Sequence, residues 1–216
     1  MKINPKKELA IFAAIFFAAA FAVYLVLNGG AYFRILRYDL VVNSPFGSDL
    51  KNWPILGLSG AVEKPSGSEN DYYLAIPKTA TMSPIVFPKD GDNKTILAAM
   101  ESGVAFYPGS QQFGENGRSV ILGHSSKAIW YRGDYGSIFA LLHKLEKGDE
   151  VYVFYGNKKL AYKVFADDVL TPAKTNELLA QIPQGESDIA LITCWPVGSS
   201  SMRTVIQAKL ESAGKI

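Results

Sequence analysis

Residues 187–210 read SDIALITCWPVGSSSMRTVIQAKL: two apolar segments of strand length on either side of a short loop rich in Pro, Gly and Ser. Alternating apolar segments with several β-branched residues are typical of strands, and a short loop between two of them indicates a hairpin. Paired in this way, Cys194 at the end of the first strand faces Arg203 at the start of the second. The stretch therefore predicts a hairpin whose mouth holds the only cysteine of the chain.

Short β-rich segments separated by turn residues extend upstream from this hairpin to Asp71. They include YYLAIPK, SPIVFP, GVAFYP, RSVILGH and two strands that flank Gly156-Asn157, a strong hairpin signal. Short helical patterns occur at 93–102 and 175–181, the second capped by Thr175 or Asn176, and 137–145 is either a short helix or a turn. About eight strands with two or three short helices and no βαβ alternation predict a mainly β fold, an antiparallel barrel or sandwich.

The N-terminal region carries a candidate membrane segment. Residues 9–27, LAIFAAIFFAAAFAVYLVL, contain no charge, and a helix of that length spans roughly 28 Å, close to the hydrocarbon thickness of a bilayer. The basic stretch before it favours a cytoplasmic N-terminus. We expect a signal-anchor at 9–28 after a cytoplasmic segment at 1–8, with a cleaved signal peptide as the alternative. An extracytoplasmic stalk at 29–70 follows, in which AYFRILRYDLVV, residues 31–42, is either a short helix or a strand, and part of the stalk could pack against the domain.

Charge and cysteine content exclude several classes of function. The formal net charge of +2 is accounted for by the lysines of the first eight residues, so the rest of the chain offers no basic surface for nucleic acid. One cysteine cannot form an internal disulfide, and no Cys and His residues have the spacing of a zinc site. We therefore expect no nucleic-acid partner and no zinc site.

Three residues at strand ends could form a reactive centre. Cys194 precedes Trp195-Pro196, where strand pairing should loosen, and His124 follows the apolar strand SVIL and Gly123. A Cys–His pair generates a thiolate for acyl transfer, and an arginine could stabilise a developing oxyanion. Considered one at a time, each residue has a commoner alternative to a catalytic role. A single cysteine is usually a small buried apolar residue, and a histidine or arginine at a strand end is usually solvated. His143 reads as part of a solvated helix end, and Ser199–Ser201 as a loop feature.

The ordered motifs resemble the sortases, the cysteine transpeptidases of bacterial cell surfaces. The resemblance covers about residues 71–212. It rests on AIPK and SPIVFP, on FYPGSQQFGENGRSVILGH, on the segment SIFALLHKLEKGDEVYVFYGNKKLAYKVF, and on LITC followed by Arg203. It implies an eight-stranded β-barrel as the catalytic domain, residues 71–216. It further implies Cys194 as nucleophile, His124 as general acid/base, Arg203 as the residue that stabilises the intermediate, and Thr193 as part of the substrate groove.

The resemblance also implies a reaction and its partners. Cys194 would cleave an LPXTG-like signal of a surface protein or pilin and pass the acyl group to an amine, from a cell-wall precursor or a pilin lysine, without metal or cofactor. A thiol hydrolase and a non-catalytic binding domain are the alternatives. The short Cys-to-Arg loop is most like class C or E enzymes, although residue 190 is Ala where many sortases have Thr. Residues 51–54, KNWP, are the nearest equivalent of a lid.

Overall fold

Eight strands close into a barrel in the computed structural model, which describes residues 5–42, 71–126, 131, 134–181 and 186–215. The strands are β1 (Tyr72–Ile76), β2 (Thr81–Val86), β3 (Val104–Phe106), β4 (Gly117–Leu122), β5 (Glu150–Tyr155), β6 (Lys158–Leu170), β7 (Ser187–Trp195) and β8 (Met202–Lys215). The helices are α1 (Pro5–Val42), α2 (Asn93–Ala99) and α3 (Pro172–Ala180), with 3-10 turns at Pro77–Thr79 and Leu142–Lys144. The prediction of an eight-stranded barrel with short helices behind an apolar N-terminal helix is confirmed.

The order of strands around the barrel is β1-β2-β3-β4-β7-β8-β6-β5. Neighbouring strands pair antiparallel except β2 with β3 and β4 with β7, which run parallel. The parallel pairs require long connections, and the segment between β4 and β7 contains β5, β6 and α3. As a result, β7 lies between a strand that is distant in sequence and its hairpin partner β8.

Apolar side chains fill the inside of the barrel. Every strand contributes to this interior, and the 3-10 segment adds Leu142 and Leu145. Its fully buried members include Leu74, Ile76, Val104, Phe139, Val153, Ile121, Ile189, Leu191 and Ile206. A second apolar group lies on the outer face of β4, β7 and β8, where Leu178 and Leu179 of α3 pack against it. Both faces of β7 are therefore covered along most of its length.

Helix α1 continues well beyond the predicted membrane segment. The helix includes residues 29–42, the start of the expected stalk, where the sequence leaves a short helix and a strand open for residues 31–42. Asn28, Ala31, Ile35 and Tyr38 recur at helical spacing on the side of α1 that packs towards the barrel, and Ala31 belongs to a small apolar cluster with Ala140 and Val197. Tertiary contacts therefore stabilise a segment whose Gly29-Gly30 pair disfavours helix. The rest of the stalk, residues 43–70 with KNWP, lies outside the described residues.

One local prediction needs correction, and one alternative is decided. Helix α3 begins at Pro172, earlier than expected, and its N-cap is Thr171, whose hydroxyl oxygen accepts a hydrogen bond from the Lys174 N–H. The predicted caps Thr175 and Asn176 instead lie within the helix, because proline at the first helical position is favourable. The 137–145 segment, for which the sequence left a short helix and a turn open, forms turns that end in a single 3-10 turn.

A buried ion pair joins β4 to β7. The Arg118 guanidinium donates to both carboxylate oxygens of Asp188, with an Nη2–Oδ2 distance of 2.7 Å, and Nη1 donates to the Leu178 carbonyl at 2.9 Å. The two residues are register partners in the parallel ladder, and each is more than nine-tenths buried. The pair therefore binds β4, β7 and the C-terminal end of α3 together.

We expect Arg118→Met to lower the free energy of unfolding by about 3–5 kcal/mol, because it leaves the Asp188 carboxylate buried without its partner. The double variant Arg118→Met/Asp188→Leu should recover much of that loss, since it removes both charges. Urea unfolding measures both effects. Equal stability of Arg118→Met and the native protein would show that the pair does not support the β4–β7 contact.

Candidate functional site

Cys194 and Arg203 are directly opposed at one end of the barrel. They are register partners in the antiparallel β7–β8 ladder, as are the neighbouring Trp195 and Met202. Cys194 is half-buried, and Arg203 is half-buried as well. The predicted hairpin geometry is confirmed: the thiol and the guanidinium side chains belong to adjacent strands at the same level of the sheet.

His124 lies on the other side of Cys194, at the end of β4. The β4–β7 register aligns Leu122 with Ile192, and the pairing continues one step further. The Gly123 N–H donates to the Ile192 carbonyl at 3.1 Å, and the Thr193 hydroxyl donates to the Gly123 carbonyl at 2.7 Å. Because the strands run parallel, the next residue of each is His124 and Cys194. The structure thus brings together the three residues singled out in the sequence.

Side-chain alternation places these residues in the outer series of the barrel wall. Leu191 of β7 belongs to the interior, whereas Ile192 belongs to the outer apolar group against α3. Cys194 is two residues beyond Ile192 and continues the outer series. The corresponding series on the adjacent strands are Val120, Leu122 and His124 on β4, and Val205 and Arg203 on β8. The buried apolar group beneath α3 therefore ends next to the three polar residues on the same outer face.

Thr193 is buried beside Cys194, and its role in a substrate groove stays a prediction. It follows the interior series of β7, is 4% exposed, and uses its hydroxyl to hold the Gly123 carbonyl. The physical reason is alternation, since the neighbour of an outward-facing Cys194 must face inward. Thr193 therefore ties β7 to the backbone immediately before His124 and lines the interior.

The backbone around His124 is held by the segment that follows β4. The Phe139 N–H donates to the His124 carbonyl at 2.9 Å. The Phe139 ring lies so close to Gly123 that a Cβ at that position would come within 2.4 Å of it. Glycine is therefore required before His124 because of this close approach.

Tyr131 is a neighbour of His124 that sequence reasoning missed. The two rings meet edge-on, with centroids 6.1 Å apart, and the Tyr131 hydroxyl donates to the Met100 carbonyl at 3.1 Å. Burial raises the pKa of Tyr131, and the nearby carboxylates of Glu101 and Asp134 raise it further. Tyr131 consequently remains a protonated donor at neutral pH, and no spacing in the sequence linked it to His124.

Arg203 is anchored by the loop that precedes it. Its Nη1 donates to the carbonyls of Ser200 and Met202, each at 2.9 Å. Within the described residues, no hydrogen bond engages its Nε or Nη2, so these donors are available to a ligand. Ser199 and Ser201 bond to each other at 3.0 Å between their Oγ atoms, in agreement with their interpretation as loop residues.

His143 packs closer to the site than its sequence context suggested. Its ring lies 4.6 Å from the ring of Trp195, the residue after Cys194. Burial lowers the pKa of His143, and the adjacent Lys144 lowers it further. The imidazole is therefore neutral near pH 7 and acts as an aromatic packing partner of Trp195.

A closed β-barrel with thiol, imidazole and guanidinium groups on three adjacent strands defines the class of this protein as a candidate cysteine-dependent enzyme. Comparison with known proteins gives the family. The sortase domain model matches residues 74–211, more than half of the chain, and the chain belongs to the sortase family. The assignment agrees with the resemblance seen in its motifs.

Individual relatives are similar at moderate identity. The chain is 27% identical over 149 residues to sortase D of Bacillus subtilis (strain 168), covering 68% of this chain and 66% of that protein. It is 28% identical over 137 residues to sortase A of Bacillus anthracis, covering 63% and 58%. The match thus spans 66% of the length of one curated relative and 58% of the other.

The crystal structure of sortase C-1 from Actinomyces oris shows the same fold, with a TM-score of 0.54 and 26% identity. The alignment covers 65% of this chain and 73% of that chain. These three relatives carry the names of three sortase classes, so the class C-like or E-like assignment stays a prediction.

Alkylation of the single cysteine tests whether His124 activates it. We expect iodoacetamide to modify native Cys194 near pH 7 faster than the same protein unfolded in urea, because a neighbouring imidazolium favours the thiolate. His124→Ala should slow the native reaction, because it removes the neighbouring base that would generate the thiolate. Intact-protein mass spectrometry measures the rates. A native thiol that reacts more slowly than the unfolded one, and is indifferent to His124→Ala, would favour a non-catalytic binding domain.

Proposed function

We propose that this protein is a membrane-anchored cysteine transpeptidase that cleaves an LPXTG-like sorting signal and transfers the acyl group to an amine. The observation that carries the proposal is the alignment of His124, Cys194 and Arg203 on three adjacent strands. Membership of the sortase family supports the same reaction class. In this proposal Cys194 is the nucleophile, His124 the general acid/base and Arg203 the electrostatic stabiliser.

The first half of the reaction forms a thioester. The Cys194 thiolate attacks the carbonyl carbon of the Thr–Gly amide, and the C=O electron pair moves onto oxygen to give a tetrahedral oxyanion. The Arg203 donors stabilise that oxyanion, and positioned donors of this kind contribute on the order of 10²–10³ in rate. Protonated His124 gives its proton to the leaving nitrogen, the C–N bond breaks, and the released amine carries away the glycine side of the substrate.

The second half transfers the acyl group. An incoming amine attacks the thioester carbonyl while neutral His124 accepts its proton, and the second tetrahedral intermediate again places its oxyanion near Arg203. The C–S bond breaks, the thiolate of Cys194 is regenerated, and a new amide links substrate and acceptor. Water in place of the amine would yield the free carboxylic acid, which is the reaction of a thiol hydrolase.

An apolar approach to Cys194 supports a substrate with apolar residues before the cleaved bond. Two partly exposed leucines lie next to the candidate site: Leu122 of β4, beside Ile192, and Leu170 of β6, the register partner of Arg203. The leucine and proline of an LPXTG-like signal fit such a surface, which they would remove from water. We propose a surface protein or a pilin as the substrate, and a cell-wall precursor or a pilin lysine as the amine.

Helix α1 supports membrane anchoring. The described residues include one helix long and apolar enough to cross a bilayer, within Lys6–Leu40, with a mean hydropathy of 2.6 in its most apolar window. Its side chains are exposed as far as Val26, as expected for contact with lipid. We propose a single-pass anchor with a cytoplasmic N-terminus, which places the barrel outside the membrane.

Incubation of the full chain with a fluorogenic LPXTG-type peptide, with and without a primary amine, tests the reaction. We expect cleavage, and we expect added amine to divert the product from the free acid to the amide, as quantified by mass spectrometry. Cys194→Ala should abolish both products and the covalent acyl-enzyme. A product that remains the free acid at every amine concentration would instead indicate a hydrolase.

Arg203→Ala should lower kcat/KM for that peptide by about 10²–10³ without unfolding the barrel, because it removes charge stabilisation of the oxyanion. Arg203→Lys should recover only part of the loss, since an ammonium group lacks the planar set of donors. Lys209→Ala is the matched control on β8: its ion pair with Glu186 is half-exposed, and such pairs contribute little. Full activity of Arg203→Ala would refute the assigned role.

A further inference from the structure

The loop that joins β7 to β8 rests on helix α1. Val197 is the only buried residue of the loop at 196–201, and it packs in a cluster with Ala31 of α1 and with Ala140. The Tyr24 hydroxyl donates to the Val197 carbonyl at 3.1 Å. Residues of α1 at the end of the predicted membrane segment and just beyond it therefore cover Val197, the buried apolar residue of the loop.

Gly198 fits against α1 without space for a side chain. A Cβ at Gly198 would lie 2.7 Å from Oδ1 of Asn28. Asn28 is 9% exposed, and its Nδ2 donates to the Tyr24 carbonyl at 3.0 Å, which fixes the side chain against the loop. Helix and loop are thus in van der Waals contact at a position where the loop backbone has a φ of +83°.

A second set of contacts connects α1 to the residue after the cysteine. The Lys144 ammonium lies 2.8 Å from a carboxylate oxygen of Asp39, and Nη1 of Arg34 donates to the Ser137 carbonyl at 2.8 Å. The segment held in this way carries His143, whose ring packs on Trp195. Helix α1 therefore supports the loop directly through Val197 and Gly198, and indirectly through His143.

We propose that α1 is a positioning element for the candidate active site: its Asn28 and Ala31 fix the loop that sets Cys194 opposite Arg203. The role of Cys194 as nucleophile rests on the proposed function. The loop determines the geometry because Trp195 follows the thiol directly, and because Arg203 is oriented by the Ser200 carbonyl. If α1 moved away from Val197, this side chain would become exposed to solvent. The loop would then no longer hold Cys194 and Arg203 in fixed positions relative to each other.

A double-mutant cycle across the contact tests this proposal in the full chain, reconstituted in lipid nanodiscs. Gly198→Ala should reduce the rate of Cys194 alkylation by iodoacetamide and kcat for the LPXTG-type peptide. The backbone strain of alanine at positive φ is the same with or without Asn28, whereas the clash is relieved by Asn28→Ala. We therefore expect the loss caused by Gly198→Ala to be at least about threefold smaller in the Asn28→Ala background. Identical losses in both backgrounds would overturn the proposal.

A second variant addresses the apolar contact. Ala31→Leu places a larger side chain against Val197 and should lower kcat about tenfold or more, because small displacements of reacting groups are costly. The pH dependence of alkylation should shift as well, with a smaller change in KM. Phe33→Leu is the control, since Phe33 is 65% exposed, and it should match the native protein. Native kcat and an unchanged pH profile in Ala31→Leu would contradict the proposal.

The readouts separate this inference from the proposed function. If the native protein does not cleave the peptide but alkylation responds to the α1 variants as expected, the transpeptidase proposal fails while the positioning of Cys194 by α1 stands. If the native protein cleaves and transfers the peptide but the cycle shows no coupling, the positioning role fails alone. If Ala31→Leu lacks a cooperative thermal transition, the Asn28–Gly198 cycle decides the question.

Discussion

The parallel pairing of β4 with β7 is the constraint on which the site depends. It brings His124 beside Cys194 although the two are far apart in sequence, and it holds the register by bonds at both ends of the ladder. At one end the Arg118 guanidinium binds the Asp188 carboxylate; at the other the Thr193 hydroxyl binds the Gly123 carbonyl. A slip of β7 against β4 by one residue would turn every side chain of β7 to the opposite face of the sheet. The position of Cys194 on the outer face therefore depends on the Arg118–Asp188 and Thr193–Gly123 contacts, which hold the register.

The inner and outer faces of the same strands have different roles: the inner face forms the apolar core, and the outer face carries the candidate catalytic residues. In β7, Ile189 and Leu191 face the apolar interior, while the alternate residues form the outer apolar group and end at Cys194. The interior can therefore be densely packed without restricting the site, and the site can stay half-buried without opening the interior. Thr193 serves both purposes, since its inward position lets it brace the backbone next to His124.

Features fixed by residues that are close in sequence could be predicted from the sequence. Features fixed by tertiary contacts could be predicted only in part. Strand alternation and a short loop were sufficient to place Cys194 opposite Arg203, because both residues belong to one hairpin. The approach of His124 to Cys194 crosses a parallel pair and was inferred from motifs resembling a known family. The sequence leaves residues 31–42 open between a short helix and a strand because Gly29-Gly30 disfavours helix locally, and the tertiary burial of Ala31 and Tyr38 favours the helix. Tyr131 and His143 were missed because their partners are distant in sequence.

The continuity of α1 bears on how an anchored barrel could work. A flexible stalk would let the barrel turn freely relative to the membrane, and the anchor would then contribute only local concentration. Here the helix that leaves the apolar segment begins to contact the barrel at Tyr24 and continues to Asp39. In a membrane-anchored protein, such a helix would couple the orientation of its apolar segment to the loop beside Cys194 through these contacts. In an anchored protein, the direction from which a peptide reaches the thiol would then be set by the same contacts that hold the loop in place.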